Sequence, residues 1–377
     1  EISRWYWGLA RPQVSSVTPE MRAEVRRIVK GRRASRPRIE AIFFWVSRNV
    51  RYLGITAEAQ APGYEPHPAS MTFERRAGVC RDKAALLVAM LRIAGIEAYP
   101  VLIMNGPRMD PEVPQPFFNH AIACARNPDG SYILMDPTDE STSELFPAYL
   151  GNKSYLVATP KGETLRTSPV VKAERNSMHI VTKGTLDAKG TLRASTQLTF
   201  GGINDNAYRA HLARLSLEET RAFFEKALLL VLPRATLEEA VVEPSDMQDT
   251  TRGLKATLTY RVDGYHLQGP GINSIRILRF GDTLGLVPSF LKRMGLKERK
   301  YPFVTETTCG VDESLALDVD PSLGEPTGAP PPDEETRDDG FTWRRTCTMW
   351  GRTLVFEDVF LLEQTEYSPG AYKRLQD

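Results

Sequence analysis

The stretch Asn119-His120-Ala121-Ile122-Ala123-Cys124-Ala125-Arg126, then Asn127-Pro128-Asp129-Gly130, then Ser131-Tyr132-Ile133-Leu134-Met135-Asp136-Pro137-Thr138 decides the fold of the first half of this chain. Two short apolar runs flank four turn-forming residues, which predicts an antiparallel hairpin. Pro128 suits the second turn position and Gly130 the left-handed one, a composition that favours a type I turn with a Gly bulge. The bulge sets the register. With Gly130 as the extra residue, Asn127 faces Ser131, Ile122 opposes Asp136, and His120 lies on the same face one diagonal step away. A tight two-residue turn would put His120 and Asp136 on opposite faces. The turn chemistry therefore predicts a His–Asp contact at the open end of the hairpin.

Upstream, Gly78-Val79-Cys80-Arg81-Asp82-Lys83-Ala84-Ala85-Leu86-Leu87 sets a thiol where a helix begins. Leu87, Met90, Leu91 and Ala94 recur at three- and four-residue steps, and Gly95 follows as a C-terminal cap. Gly78 gives the backbone freedom to turn into the helix. A thiol in a first helical turn meets the positive end of the macrodipole and unpaired amides, both of which favour the thiolate. A lone Cys is also a common small buried hydrophobe, and on this stretch alone the two readings weigh equally. Nucleophilic thiol chemistry needs a thiolate, a base and a third group that orients the base. Cys80, His120 and Asp136 supply one of each. His67, in Glu65-Pro66-His67-Pro68, competes for the base role but reads as structural, and His211 and His266 are isolated. Asp82 and Lys83 read as capping and pairing residues.

Around these motifs the chain divides at 1–35, 36–160 and 170–377. Residues 1–18 are aromatic without a clear period and read as a connector packed onto something. Thr18 and Pro19 open a short basic helix to Lys30, and Arg38 to Arg51 is a helix with Ile39, Ile42, Phe43, Val46 and Val50 on one face. Gly54 to Thr72 reads as a long loop walling a cleft. Glu97 to Met104 is a buried strand and Tyr155 to Ala158 the last strand of this unit, followed by a linker from Thr159 to Pro169. From Val170 the texture changes to alternating strands, with helices from Asn206 to Leu215 and Ser216 to Leu232. This predicts a mainly antiparallel, sandwich-like β domain with inserted helices, and α+β overall. Pro321 to Asp339, rich in Pro and acid, reads as a loop.

With 48 Lys and Arg against 47 Asp and Glu, the net charge is +1, which argues against nucleic acid or an anionic membrane as the main partner. No window approaches the roughly 18 uninterrupted apolar residues of a spanning helix. Four Cys lack the paired spacing of a zinc site. Cys309 and Cys347, on strand-like stretches, could form a disulfide. The chain begins at Glu1 with neither Met nor signal peptide, which reads as a processed or trimmed piece.

Together, Gly78-Val79-Cys80-Arg81-Asp82-Lys83-Ala84, Phe118-Asn119-His120-Ala121-Ile122 and Leu134-Met135-Asp136-Pro137-Thr138 resemble the three motifs of the transglutaminase-like superfamily. More narrowly they resemble its bacterial branch with β-rich accessory domains. The resemblance covers residues 36–160. It implies a papain-like core with Cys80 as nucleophile, His120 as general base and then acid, and Asp136 as orienting carboxylate. It implies acyl transfer on peptide, isopeptide or amide bonds through a thioester, with hydrolysis as the first expectation. A glutamine cross-linking transglutaminase is the second, and a non-catalytic binding or scaffold protein with a papain-like core the third. The Cys80 amide would be one oxyanion donor. Tyr52, Gln60 or Tyr64 would supply another, and Asn119 joins them as a candidate for the substrate cleft. The acids between Asp139 and Glu144 do not resemble the metal loops of calcium-dependent cross-linkers, so no metal and no cofactor are expected. The partner would be a protein or peptide substrate. The same resemblance implies a periplasmic, secreted or cell-surface location, and an N-terminal accessory domain missing from this chain.

Overall fold

A computed structural model of the protein describes residues 1–54, 63–110, 112–113, 115, 117–269, 272–324, 332–338 and 340–376. It divides into two compact units, Glu1–Pro169 and Val170–Asp377. The first holds helices α1 (Ile2–Val14), α2 (Pro19–Val29), α3 (Ser35–Asn49), α4 (Ala69–Arg75) and α5 (Cys80–Ile93). Its strands are β1 (Arg51–Tyr52), β2 (Ala77–Gly78), β3 (Ala98–Ile103), β4 (His120–Arg126), β5 (Tyr132–Met135), β6 (Ser154–Val157) and β7 (Arg166–Thr167). The last five make one antiparallel sheet in the order β5-β4-β3-β6-β7, and β1 and β2 form a separate parallel pair.

Helix α5 is the centre of this unit. Every residue from Asp82 to Leu91 is buried, as expected of a helix covered on all sides. One side packs on β3 and β4, and the others meet α1, α2, α3 and α4. Ala121, Ala123 and Ala125 alternate along β4 within the core that contains α5, and side chains this small let helix and sheet approach closely. Ile122 and Cys124, with Val101, Ile103 and Val157, form a second core on the opposite sheet face. Gly95 (φ +76°) ends the helix in the left-handed conformation, as its position after Ala94 predicts. Gly78 is needed for a different reason from the one its position suggested. Its φ is not left-handed, but a Cβ there would stand 2.8 Å from Asp82 Cβ.

The hairpin has the register that the turn predicts. Ala123 pairs with Met135, Cys124 with Leu134 and Arg126 with Tyr132. Gly130 takes φ +85° and donates to Asn127 O, while Asn127 donates to Ser131 O. Residues 1–18, by contrast, are more than a connector. Ile2–Val14 is helical, burying Ser3, Tyr6, Trp7, Ala10 and Val14 at three- and four-residue spacing, with Pro12 in its last turn. The expected loop from Gly54 to Thr72 is shortened by α4, and Gln60 lies outside the described residues.

In the second unit eight strands form a single sheet. Their order is Ala235–Glu243, Lys255–Val262, Leu192–Phe200, Ser177–Leu186, Cys309–Val319, Thr353–Leu362, Phe341–Trp350 and Glu334–Asp338. All neighbours are antiparallel except Ser177–Leu186 with Cys309–Val319. The pairing is mainly antiparallel as expected, but the long strands share one sheet. Helix residues Phe224, Ala227, Leu228 and Val231 join its apolar core. Cys309 and Cys347 are free and buried. Their strands both pair with Thr353–Leu362, opposite Leu362 and Phe356, so the disulfide considered from sequence is not made.

Candidate active site

Three elements bring the motif residues together. Cys80 is the first residue of α5, where its own N–H has no acceptor within the helix. His120 begins β4, and Asp136 follows the last residue of β5. His120 Nε2 lies 2.8 Å from Asp136 Oδ2. Asp136 is fully buried, and its other oxygen accepts the Thr138 N–H at 3.0 Å and hydroxyl at 2.7 Å. With Nε2 committed to Asp136, Nδ1 of the imidazole is left for Cys80.

The electrostatics fit this arrangement. Burial would raise the half-buried Cys80 thiol. The adjacent His120, by hydrogen bonding and charge, and then the Ala121 and Arg81 amides outweigh burial and hold the thiol below its ordinary value. Burial would likewise depress His120, but Asp136 and Cys80 push it up to about 10. Asp136 is held below the usual carboxylate range despite its burial, by His120 and then Thr138. All three shifts run in one direction, favouring an ionised thiol beside a protonated imidazole backed by a carboxylate.

A cleft of about 300 Å³ opens over Cys80, lined by Tyr6, Gly63, Tyr64, Arg81, Leu102, Phe118, Asn119, His120 and Ala121. The cleft candidates read from sequence are placed differently from one another. Tyr64 lines the cleft but donates its hydroxyl to Phe118 O at 2.8 Å. The Asn119 amide is engaged at both ends with the Asn105 backbone, at 2.8 and 2.9 Å. Tyr52 pairs with Gly78 and is not among the described residues lining the cleft, although after burial the charges of Cys80 and Asp136 also raise its pKa.

The neighbouring polar residues act as scaffold. Asp82 Oδ2 accepts the Val79 N–H at 3.1 Å, while Oδ1 meets the His67 N–H and Nδ1 at 2.9 and 3.1 Å. This agrees with a structural His67. Lys83 is completely buried and donates to Ser47 O and Val50 O at the end of α3, with Glu140 3.9 Å away. Glu140 in turn accepts the Tyr52 N–H at 2.6 Å.

Sequence reasoning missed Tyr6 and Thr138. The spacing of Ser3, Tyr6, Trp7, Ala10 and Val14 could have revealed the first, and the Asp-x-Thr turn the second. Among the described residues no group of three His, Cys, Asp or Glu is placed to hold a metal ion, and no helix is long and apolar enough to cross a membrane. A larger cavity, about 650 Å³, lies in the second unit. Its Asp358 is taken up by Arg279, Arg345 and Trp343, and no thiol lines it.

Residues 22–137 match the family model of the transglutaminase-like superfamily. The first unit is similar to the transglutaminase-like core. A candidate protease from Parabacteroides distasonis aligns with 99% of this chain and 55% of its own, with a TM-score of 0.56 and 10% identity. At that identity the likeness is one of fold. A candidate cysteine protease from Cytophaga hutchinsonii is 24% identical over 36% of this chain and 43% of its own, with a TM-score of 0.26. The chain spans about half the length of these solved structures. No curated protein matches it. The match to the transglutaminase-like core includes Cys80, His120 and Asp136 and excludes α1.

Proposed function

We propose that the protein is a thiol-dependent acyl-transfer enzyme that hydrolyses peptide or isopeptide bonds. The observation that carries this reading is the His120–Asp136 contact at 2.8 Å, made by a histidine that also abuts the half-buried thiol of Cys80. The description of the Parabacteroides distasonis protein as a candidate protease supports a peptide substrate.

In this mechanism the Cys80 thiolate attacks the amide carbonyl carbon, and the carbonyl electron pair moves to oxygen. Collapse of the tetrahedral intermediate leaves a thioester and expels the amine, which takes its proton from the His120 imidazolium. His120, now neutral, removes a proton from water as the water attacks the thioester. The second collapse releases the carboxylic acid and restores the Cys80 thiolate beside protonated His120. Asp136 orients the ring throughout and stays ionised.

Alkylation by iodoacetamide from pH 5 to 9 tests the first step. Cys80 should label at pH 6 far faster than a free thiol, and labelling no faster than a free thiol rejects the activated nucleophile. A Cys80→Ala variant should lose all peptide-hydrolysing activity, and retained activity rejects the mechanism. Ammonia release from a glutamine peptide, with and without added amine, separates hydrolysis from cross-linking. An amine-dependent rise in ammonia release with incorporation of the amine would favour the cross-linking reading.

A further inference from the structure

Attack by Cys80 on a carbonyl creates an oxyanion, and donors already aimed at that oxygen are the largest single source of stabilisation in such reactions. The Cys80 N–H is one. Of the side chains expected to supply a second, Tyr64 has donated its hydroxyl to Phe118 O, Tyr52 does not line the cleft and Gln60 lies outside the described residues, while the cleft candidate Asn119 is bound to Asn105 at both ends.

Tyr6, on α1, differs from all three. It is 1% exposed, lines the same cleft as Cys80 and His120, and its hydroxyl makes no hydrogen bond among the described residues. The residue is buried as a whole, and its hydroxyl is the end left open to the cleft beside the thiol. The ring is held in place, with its centroid 6.5 Å from that of Tyr64 in an edge-to-face contact. One turn earlier, Ser3 locks the helix to the sheet by donating to Val157 O at 2.7 Å and accepting the Thr159 and Glu163 amides at 3.2 and 3.0 Å. Burial, and then the charge of Cys80, raise the Tyr6 pKa, so the phenol keeps the proton that it would donate.

We propose that Tyr6 is a catalytic residue: its hydroxyl donates, with the Cys80 N–H, to the oxyanion formed when Cys80 attacks a carbonyl. The proposal rests on reading Cys80 as the acyl-accepting nucleophile. Tyr6 then acts on the tetrahedral species and leaves the thiolate's own reactivity unchanged.

N-acetylglycinal, carrying carbon-13 at the aldehyde, separates the two properties. The Cys80 thiolate adds to the aldehyde carbon, the carbonyl pair goes to oxygen, and the oxygen of the resulting hemithioacetal sits where the oxyanion would. Iodoacetamide alkylates the same sulfur by displacement of iodide and forms no oxyanion. In Tyr6→Phe, the aldehyde affinity read by NMR should fall by about tenfold or more, whereas the alkylation profile stays within about twofold of the original. Genetic replacement of Tyr6 by 4-aminophenylalanine, which keeps an N–H donor at the same place, should recover most of the aldehyde affinity. That rescue also separates a lost donor from a disturbed fold.

Unchanged aldehyde affinity in Tyr6→Phe overturns the proposal, as does a parallel fall in affinity and alkylation, which would make Tyr6 a packing residue. If the original protein alkylates like a free thiol and captures no aldehyde, the acyl-transfer reading fails at its root and the role of Tyr6 falls with it.

Discussion

Thr138 gives both its N–H and its hydroxyl to one oxygen of Asp136, at 3.0 and 2.7 Å, and leaves the other oxygen to His120. The carboxylate is thus fixed from behind by a residue two positions along the chain. Its aim at the imidazole does not depend on the ion pair alone.

Thr138→Val removes the hydroxyl while keeping shape and backbone. A buried carboxylate that loses one of its donors should cost about 1–2 kcal/mol of unfolding free energy, measured by urea denaturation. Iodoacetamide labelling of Cys80 at pH 6 should slow several-fold as the imidazole loses its fixed orientation. Unchanged labelling would mean that Pro137 and the strand end orient Asp136 unaided.

Asp136→Asn makes a prediction whose sign depends on pH. His120 is raised from 6.5 to about 10 in the folded protein, so its contribution to stability is full below 6.5 and lost as pH rises through 10. Asp136 is lowered from 3.8, so its contribution is present above 3.8 and lost as pH falls through the depressed value. The stability gap between the original protein and the variant should therefore be widest near pH 5–6 and narrow towards pH 10. Urea midpoints at both ends of that range check it, and a gap independent of pH would contradict the His120 shift.

Gly78→Ala introduces a Cβ 2.8 Å from the Asp82 Cβ. Both neighbours are backbone-anchored, so the start of α5 must move. The expected cost is about 1–3 kcal/mol, read as a lower thermal midpoint. The thiol should also label more slowly at pH 6, because Cys80 lies two residues on.

Lys83→Ala strips two carbonyls at the end of α3, Ser47 O and Val50 O, of a fully buried donor. Unsatisfied acceptors and the cavity together should cost about 2–4 kcal/mol at pH 7. Burial already pushes the Lys83 amine down to about 8, against the opposing pull of Glu140, Asp136 and Asp139. Its folded form therefore sheds a proton as pH rises through 8, while the unfolded form keeps it up to 10.5. The original protein's stability should gain from this group over that interval, and the variant should lack the gain.

What could be read from sequence was local. The Asn127–Gly130 turn dictates its own register, and that register places His120 and Asp136 on one face without reference to any other part of the chain. Thr18 caps its helix through Met21 N in the same local way. What could not be read was long-range. Helix α1 carries a readable stripe at Ser3, Tyr6, Trp7, Ala10 and Val14, but its place in the cleft wall depends on tertiary packing. In the second unit, Cys309–Val319 lies parallel to Ser177–Leu186 across a long intervening stretch. Alternation marks such strands but carries no record of their partners.

The anchoring of α1 through Ser3 bears on where this unit can be cut. Homology to the transglutaminase-like core begins at residue 22, but the wall of the cleft begins before it, with Tyr6. A fragment trimmed to the matched segment would keep Cys80, His120 and Asp136 yet lose Tyr6, Trp7, Val14 and Met21 from the core they share with Val25 and Leu91. Such a fragment would also lose one wall of the cleft over Cys80. Ancestry and physical integrity draw different borders around this site, and expression clones designed on the first would lack a piece that the second requires.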